Sequence, residues 1–378
     1  MKLDRQGERQ LELDVPNRSA KSSGTRSSRK TNSTLATTAK RKQLKKTVAN
    51  CQDARLPKAK ASAKLKGRPG SERLVLTSNW ETIRTSGSEF RKNLSDKATL
   101  VLGDAAHWLA SVPDNTIHAV VTDPPYGVIE YNGVNQEKLR SGKGGVWRIP
   151  PSFDGAKRSP LPRFTVLTLE DRAALVVFFS ALAKDLLRVL VPGGHIFIAS
   201  NPLLSSQAFV AFEQSGLEKR GEVIRLVQTL RGGDRPKNAH EEFSGVSMMA
   251  RACWEPWGIF RKPLDGTAAQ NLRKWQTGGL RRISDQEPFK DVIGCSPTRG
   301  VEKKIAPHPS LKPQRFMRQI VRAALPMGEG IIYDPFAGGG STLAAAEALG
   351  YTTIGTERDR EYFAMSCGAF SALSSVLL

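Results

Sequence analysis

Two short stretches of this chain carry side chains whose types and spacing suit a chemical reaction. The first is Asp123-Pro124-Pro125-Tyr126, at the end of the apolar run Ile117 to Val121. The second is Asp334-Pro335-Phe336-Ala337-Gly338-Gly339-Gly340-Ser341, which follows Gly330-Ile331-Ile332-Tyr333. The first stretch has the parts to hold a planar amine. An exocyclic amine is a poor nucleophile because its lone pair is delocalised into the ring, so it needs acceptors that draw out its N–H bonds. Asp123 offers a carboxylate, Pro124 a carbonyl on a backbone stiffened by Pro125, and Tyr126 a ring on which a base can stack. Such a site works by orientation and electrostatics, with no metal and no covalent intermediate.

The second stretch has the parts to hold a nucleoside. Gly338, Gly339 and Gly340 form a tight strand-to-helix turn where backbone can approach a ligand closely. Ser341 or Thr342 is placed to cap the helix that follows, whose N-terminus offers N–H groups to a carboxylate. Glu357 ends the next strand, 19 residues beyond Gly338, a spacing that suits two ribose hydroxyls. The turn lacks Gly-Lys-Ser/Thr, so it presents no lysine to phosphates. A nucleoside without a phosphate chain is implied, and S-adenosylmethionine fits. Ser310 and Lys312, in the segment His308 to Pro313, are candidates to reach its methionine carboxylate.

These residues need a scaffold that brings strand ends together. Apolar runs predict strands at 99–102, 117–121, 195–199, 330–333 and 352–356. Between them, helices are expected at 105–111, 169–190, 203–215, 311–325, 341–349 and 359–370, with Trp108 and Leu109 inward and Val191-Pro-Gly-Gly194 closing the longest. Residues 221–230 and 246–260 read as an antiparallel strand pair. The alternation predicts an α/β fold, a mainly parallel sheet covered on both faces, with ligands at the carboxyl ends of its strands. Residues 128–168 form a long irregular loop, of a length that is usually functional or disordered. Residues 263–305 also break the pattern, with Lys, Arg and Gly in no clear period.

The chain has 378 residues and a net charge of +21. Residues 1–70 hold 19 Lys and Arg against 5 Asp and Glu, so most of that charge lies in a segment almost free of large apolar residues. Such a segment cannot offset its chain entropy by burial and is expected to be a disordered basic tail. Order should begin near Leu74, more securely at Leu100. The balance points to a polyanionic partner. Cys51, Cys253, Cys295 and Cys367 form no CxxC pair, so neither a zinc site nor a disulfide framework is expected, and a reducing cytoplasm fits. No apolar run is long enough to span a bilayer.

In these motifs the chain resembles the amino-group DNA methyltransferases that act on adenine N6 or cytosine N4. Gly103-Asp104, Asp123-Pro-Pro-Tyr126, Val191-Pro-Gly-Gly194, the His308 to Pro313 segment and Asp334 to Thr342 match family motifs, over about residues 99–262 and 306–368. They come in the order of the permuted beta group. The resemblance implies a Rossmann-like S-adenosylmethionine-dependent methyltransferase sheet with a small irregular DNA-recognition insertion. It implies that Asp104 approaches the cofactor adenine, that Asp334, Phe336, Gly338, Gly340 and Ser341 line the cofactor pocket, and that Glu357 holds the ribose. Asp123 stands where cytosine-N4 enzymes commonly have Ser, which favours adenine. The cofactor turn is Gly-Gly-Gly where the family often has Gly-Ser-Gly.

The partner implied is double-stranded DNA, whose target base must be flipped out. Loop residues Arg140, Lys143, Trp147 and Arg148 are expected to close over that base, with Arg273, Lys274, Trp275, Arg281 and Arg282 contacting phosphates or guanine edges. The expected division is a tail at 1–70, a catalytic half at 71–262, a recognition insertion at 263–305 and a cofactor half at 306–378. A homodimer and a cognate restriction endonuclease are further partners the resemblance allows, in a bacterial or phage nucleoid-associated setting.

Overall fold

The two motif-bearing strand ends lie side by side in one sheet. The computed structural model describes residues 80–126, 168–227, 236, 239, 241–248, 250 and 253–378, apart from residues 88, 297 and 299. The basic tail and residues 128–167 of the long loop lie outside these. In chain order the elements are β1 (Phe90–Asn93), β2 (Ala98–Leu102), α1 (Ala105–Ser111), β3 (Ile117–Thr122), α2 (Leu169–Val189), β4 (Leu190–Ala199), α3 (Ser205–Gln214), β5 (Glu218–Leu226) and β6 (Trp254–Arg261). There follow α4 (Ala268–Trp275), β7 (Val292–Gly294), α5 (Val301–Ile305), α6 (Gln314–Ala324), β8 (Ile331–Asp334), α7 (Ser341–Ala348), β9 (Thr352–Glu357) and α8 (Arg360–Ser374).

Nine strands form one sheet in the order β1-β2-β9-β8-β3-β4-β6-β5-β7. The run β2-β9-β8-β3-β4 is parallel, while β6 runs antiparallel to both β4 and β5. Every residue of β3 and β8 is buried, as expected for central parallel strands covered on two faces. Successive side chains of β3 serve opposite layers. Val120 packs with Trp108 of α1, Phe179 of α2 and Phe212 of α3. Ala119 and Val121 pack with Phe316 and Ile320 of α6 and Ala345 of α7. Order reaches back to Trp80 and Ile83, both in the first of these clusters.

From β3 the chain crosses by α2 to β4 on one side, and from β8 it crosses by α7 to β9 on the other. The strand order therefore reverses between β3 and β8. In open α/β sheets that switch point is where a crevice forms beyond the carboxyl ends.

Two expectations change. Val191-Pro-Gly-Gly194 does not end α2; the helix stops at Val189 and these residues continue as β4. Backbone bonds explain this, since Gly193 N–H donates to the Lys262 carbonyl and Lys262 N–H to the Gly194 carbonyl. Residues 263–305 also hold more order than their composition shows. Thr267 and Gln270 form a reciprocal capping box on α4, and β7 adds to the sheet edge beside β5.

Candidate active site

The crevice is closed at its floor by hydrogen bonds between the two strand ends. The Thr122 hydroxyl donates to Asp334 Oδ1 at 2.8 Å, and Phe336 N–H to the same oxygen at 3.1 Å. The Thr342 hydroxyl donates to the Val121 carbonyl. These bonds fix Asp123 beside the glycine turn. One cavity is lined by Asp123, Lys312, Asp334, Phe336, Gly338 and Ser341, with His308, Ser310 and Thr342 among its other walls. Both motifs thus open onto the same space.

On the amine side, Asp123 Oδ1 accepts from the Tyr126 hydroxyl at 2.7 Å and Oδ2 from Lys312 Nζ at 2.5 Å. Burial pushes the Asp123 carboxyl above its ordinary range, opposed by the Lys312 ammonium. Tyr126 is partly buried, packs against the main core layers and lies with its ring 5.6 Å from the Lys312 ammonium. Pro124 and Pro125 carry the chain between these two groups.

On the nucleoside side, Gly338 and Gly340 take left-handed φ values of 51° and 81°. A Cβ at Gly340 would collide with Ser366 Oγ, and one at Gly338 would lie 3.1 Å from the His308 ring. The turn is therefore a cradle that larger residues would fill. Gly340 is the N-cap of α7 and no side chain caps it, which corrects the capping role expected of Ser341 or Thr342. Ser341 Oγ instead accepts the Lys312 backbone N–H, and the Thr342 hydroxyl is taken by β3. An uncapped helix start beside a glycine turn can receive an anionic group such as a carboxylate.

Glu357 Oε2 accepts Gly338 N–H at 2.8 Å, and burial pushes its carboxyl up. Asp104 caps α1 through Ala106 N–H, and its neighbour Gly103 donates to the Glu357 carbonyl. Phe336 packs against the Phe178 ring at 6.1 Å. Ser310 N–H donates to His308 Nδ1. The His308 imidazole stays neutral near pH 7, since burial lowers its pKa to about 4 with help from Lys312.

Lys312, a candidate to reach the methionine carboxylate, lies against Asp123 in this structure. Its side chain is 8% exposed and its ammonium sits on Asp123, on the amine side of the cavity. Two further residues were not anticipated. Glu255 of β6 lies 3.7 Å from Lys312 and 3.3 Å from Arg225 of β5. Burial favours the neutral acid at Glu255, but Lys312, Arg225 and the Trp257 indole together hold it below its ordinary pKa. The available signal was an acidic residue between two tryptophans in an apolar strand. Arg225 shares a strand face with buried Val223.

Of the expected DNA contacts, Arg140, Lys143, Trp147 and Arg148 lie outside the described residues. The structure does not gather the other five at the amine site. Asn271 of α4 bonds the Pro192 carbonyl near the start of β4, about 20 Å along that strand from its carboxyl end. Lys274 and Trp275 of the same helix both bond Asp265 Oδ2, and Arg273 is exposed beside them. Arg281 donates to the Tyr351 hydroxyl just before β9, and Arg282 to the Ser284 carbonyl. Among the described residues, no cluster of His, Cys, Asp and Glu is arranged to hold a metal, and no helix is long and apolar enough to cross a membrane.

Comparison with known proteins gives the family. A family described as DNA methylase matches residues 117–367. The Type II methyltransferase M2.DpnII of Streptococcus pneumoniae is 34% identical over 269 residues, covering 71% of this chain and 87% of that protein. The Type II methyltransferase M.HindIII of Haemophilus influenzae is 26% identical over 280 residues, covering 68% and 89%. Among solved structures, the cytosine-N4-specific PvuII DNA methyltransferase aligns with a TM-score of 0.48 and 15% identity, over 75% of this chain and 88% of that one. TTHA0409 of Thermus thermophilus, complexed with S-adenosyl-L-methionine, aligns at 0.46 and 19%, over 73% and 94%. With a family match across most of its length and a relative at 34% identity, the chain belongs to the DNA methylase family of N6/N4 amino-methyltransferases.

Proposed function

We propose that this chain methylates the N6 amine of an adenine flipped out of duplex DNA, within a family of S-adenosylmethionine-dependent enzymes that act on adenine N6 or cytosine N4. The observation that carries the proposal is the shared cavity: Asp123 and the glycine turn line one space. Asp123, in place of Ser at the first motif position, supports adenine over cytosine. Both curated relatives are named Type II methyltransferases, which supports a sequence-specific role in restriction–modification.

The residues present fit S-adenosylmethionine. The uncapped start of α7 suits its carboxylate, the Gly338–Gly340 cradle suits close backbone approach, and Glu357 suits ribose hydroxyls. When bound, it supplies an electrophilic methyl group on a sulfonium. Asp123 Oδ and the Pro124 carbonyl hold the N–H bonds of the amine, and the Tyr126 ring supports the base. As the nitrogen took the methyl group, the bond from that methyl to the sulfonium would break to leave a neutral thioether; Asp123 would stabilise the positive charge developing on the nitrogen, whose surplus proton would pass to the Asp123 carboxylate and on to solvent. Arg140, Lys143, Trp147 and Arg148 follow Tyr126 in sequence, which supports them as contacts to the DNA around the target.

Nucleoside analysis of duplex DNA methylated by the purified protein tests this. N6-methyldeoxyadenosine is expected. N4-methyldeoxycytidine would transfer the same geometry to cytosine, and label in RNA alone would refute the DNA substrate.

A further inference from the structure

Lys312 poses a problem for the amine site, because its ammonium neutralises the carboxylate that must draw out the amine. Nζ lies 2.5 Å from Asp123 Oδ2 and 3.3 Å from the Tyr126 hydroxyl. Among the described residues, the other carboxylate within ion-pair reach is Glu255, with Oε2 3.7 Å away. Glu255 is held in place: Oε1 accepts the Trp257 indole N–H at 2.7 Å, and Oε2 accepts from Arg225 at 3.3 Å. Arg225 is buried in turn, with its guanidinium on the Ser296 carbonyl and 5.4 Å from the Phe316 ring centre.

The four groups form a buried set of two carboxylates and two cations, formally neutral. Moving the ammonium from one carboxylate toward the other keeps the set formally neutral, and Asp123 exchanges its ion pair for the Tyr126 hydroxyl and the N–H of the incoming amine. The root of the side chain stays fixed, because Lys312 N–H is bonded to Ser341 Oγ. A shift of about 1 Å at Nζ would bring Glu255 within ordinary hydrogen-bond distance. With the lysine on Asp123, an incoming amine meets a neutral pair. With the lysine on Glu255, it meets a carboxylate able to accept its N–H.

We propose that Glu255, pinned by Arg225 and Trp257, is a second station for the Lys312 ammonium, and that arrival of the base amine at Asp123 shifts the lysine to it. Glu255 is then a positioning residue, acting through Lys312. The inference rests on the amine-methylation reading of the site.

Two experiments on the full chain test it. In a crystal structure of Asp123→Asn, Lys312 Nζ should lie about 3 Å from Glu255 Oε2. A lysine still on the residue at 123, or turned into the cavity, overturns the proposal. In single-turnover assays with labelled S-adenosylmethionine and duplex DNA, Glu255→Gln should slow transfer by about tenfold while cofactor affinity changes by less than about twofold. In a Lys312→Met background the same substitution should change the rate by less than about twofold, and Glu255→Asp should recover part of the wild-type rate. Equal losses in both backgrounds, or a loss that tracks cofactor affinity, would make Glu255 a structural residue only. A wild-type protein inactive on every DNA amine would refute the proposed function, while the crystal structure would still decide where the lysine goes.

Discussion

Replacing Asp334 by Asn should stabilise the protein in a pH-dependent way. Asp334 is 3% exposed at the floor of the crevice. Burial pushes its carboxyl from 3.8 up to about 6, against the partial compensation of Thr342, Thr122 and Phe336 N–H. A group whose folded pKa lies above its unfolded value binds its proton more tightly in the folded state. Its contribution therefore favours folding fully below pH 3.8 and is lost as pH rises through about 6. A shift of about two units is worth about 3 kcal/mol, at about 1.4 kcal/mol per unit. Asn keeps an oxygen for the Thr122 hydroxyl and Phe336 N–H but carries no charge to desolvate. Relative to wild type, Asp334→Asn should gain up to about 3 kcal/mol between about pH 4 and pH 7 and no more above that. Urea unfolding of both proteins over a pH series measures this, because titration elsewhere cancels in the difference. A difference that does not vary with pH would refute the argument. One that falls as pH rises would mean that the ionised form is the better accommodated.

Three further substitutions test two positions at the site and one away from it. Gly340→Ala forces a Cβ into Ser366 Oγ at a φ of 81°, and should cost about 1–3 kcal/mol in unfolding free energy while weakening S-adenosylmethionine binding by calorimetry. Glu357→Gln should weaken cofactor binding about tenfold, measured by the same titration, while leaving Gly338 N–H an oxygen to bond. Arg281→Ala removes the bond to the Tyr351 hydroxyl and should lower stability by about 1 kcal/mol with little change in single-turnover methyl transfer, since Arg281 lies by the starting ends of the strands.

The central strands and the two strand-end motifs were legible because their signals are local. Ile117 to Val121 and Ile331 to Tyr333 are continuous apolar runs, and each is followed at once by its aspartate. Trp108 and Leu109 fall inward, as their spacing required. The position of Lys312 was not legible. A lysine between Leu311 and Pro313 reads as exposed, and the carboxylate that holds it lies 189 residues earlier. Glu255 and Arg225 were hidden for a related reason: only the pairing of β5 with β6, and of β6 with β4, turns them toward Lys312. Basic and aromatic residues at 273–282 read as a nucleic-acid surface. In the fold, Asp265 engages Lys274 and Trp275, and Asn271 anchors their helix at the far end of β4. Composition records such residue types but not which end of a sheet they reach.

The claim that Asp123 and the glycine turn serve one reaction is tested most directly by Asp123→Asn, with methyl transfer to duplex DNA and cofactor affinity measured on the same preparation. The account predicts a loss of transfer of about a hundredfold or more with cofactor affinity changed by less than about threefold. Transfer at the wild-type rate, or a loss explained wholly by weaker cofactor binding, would contradict it.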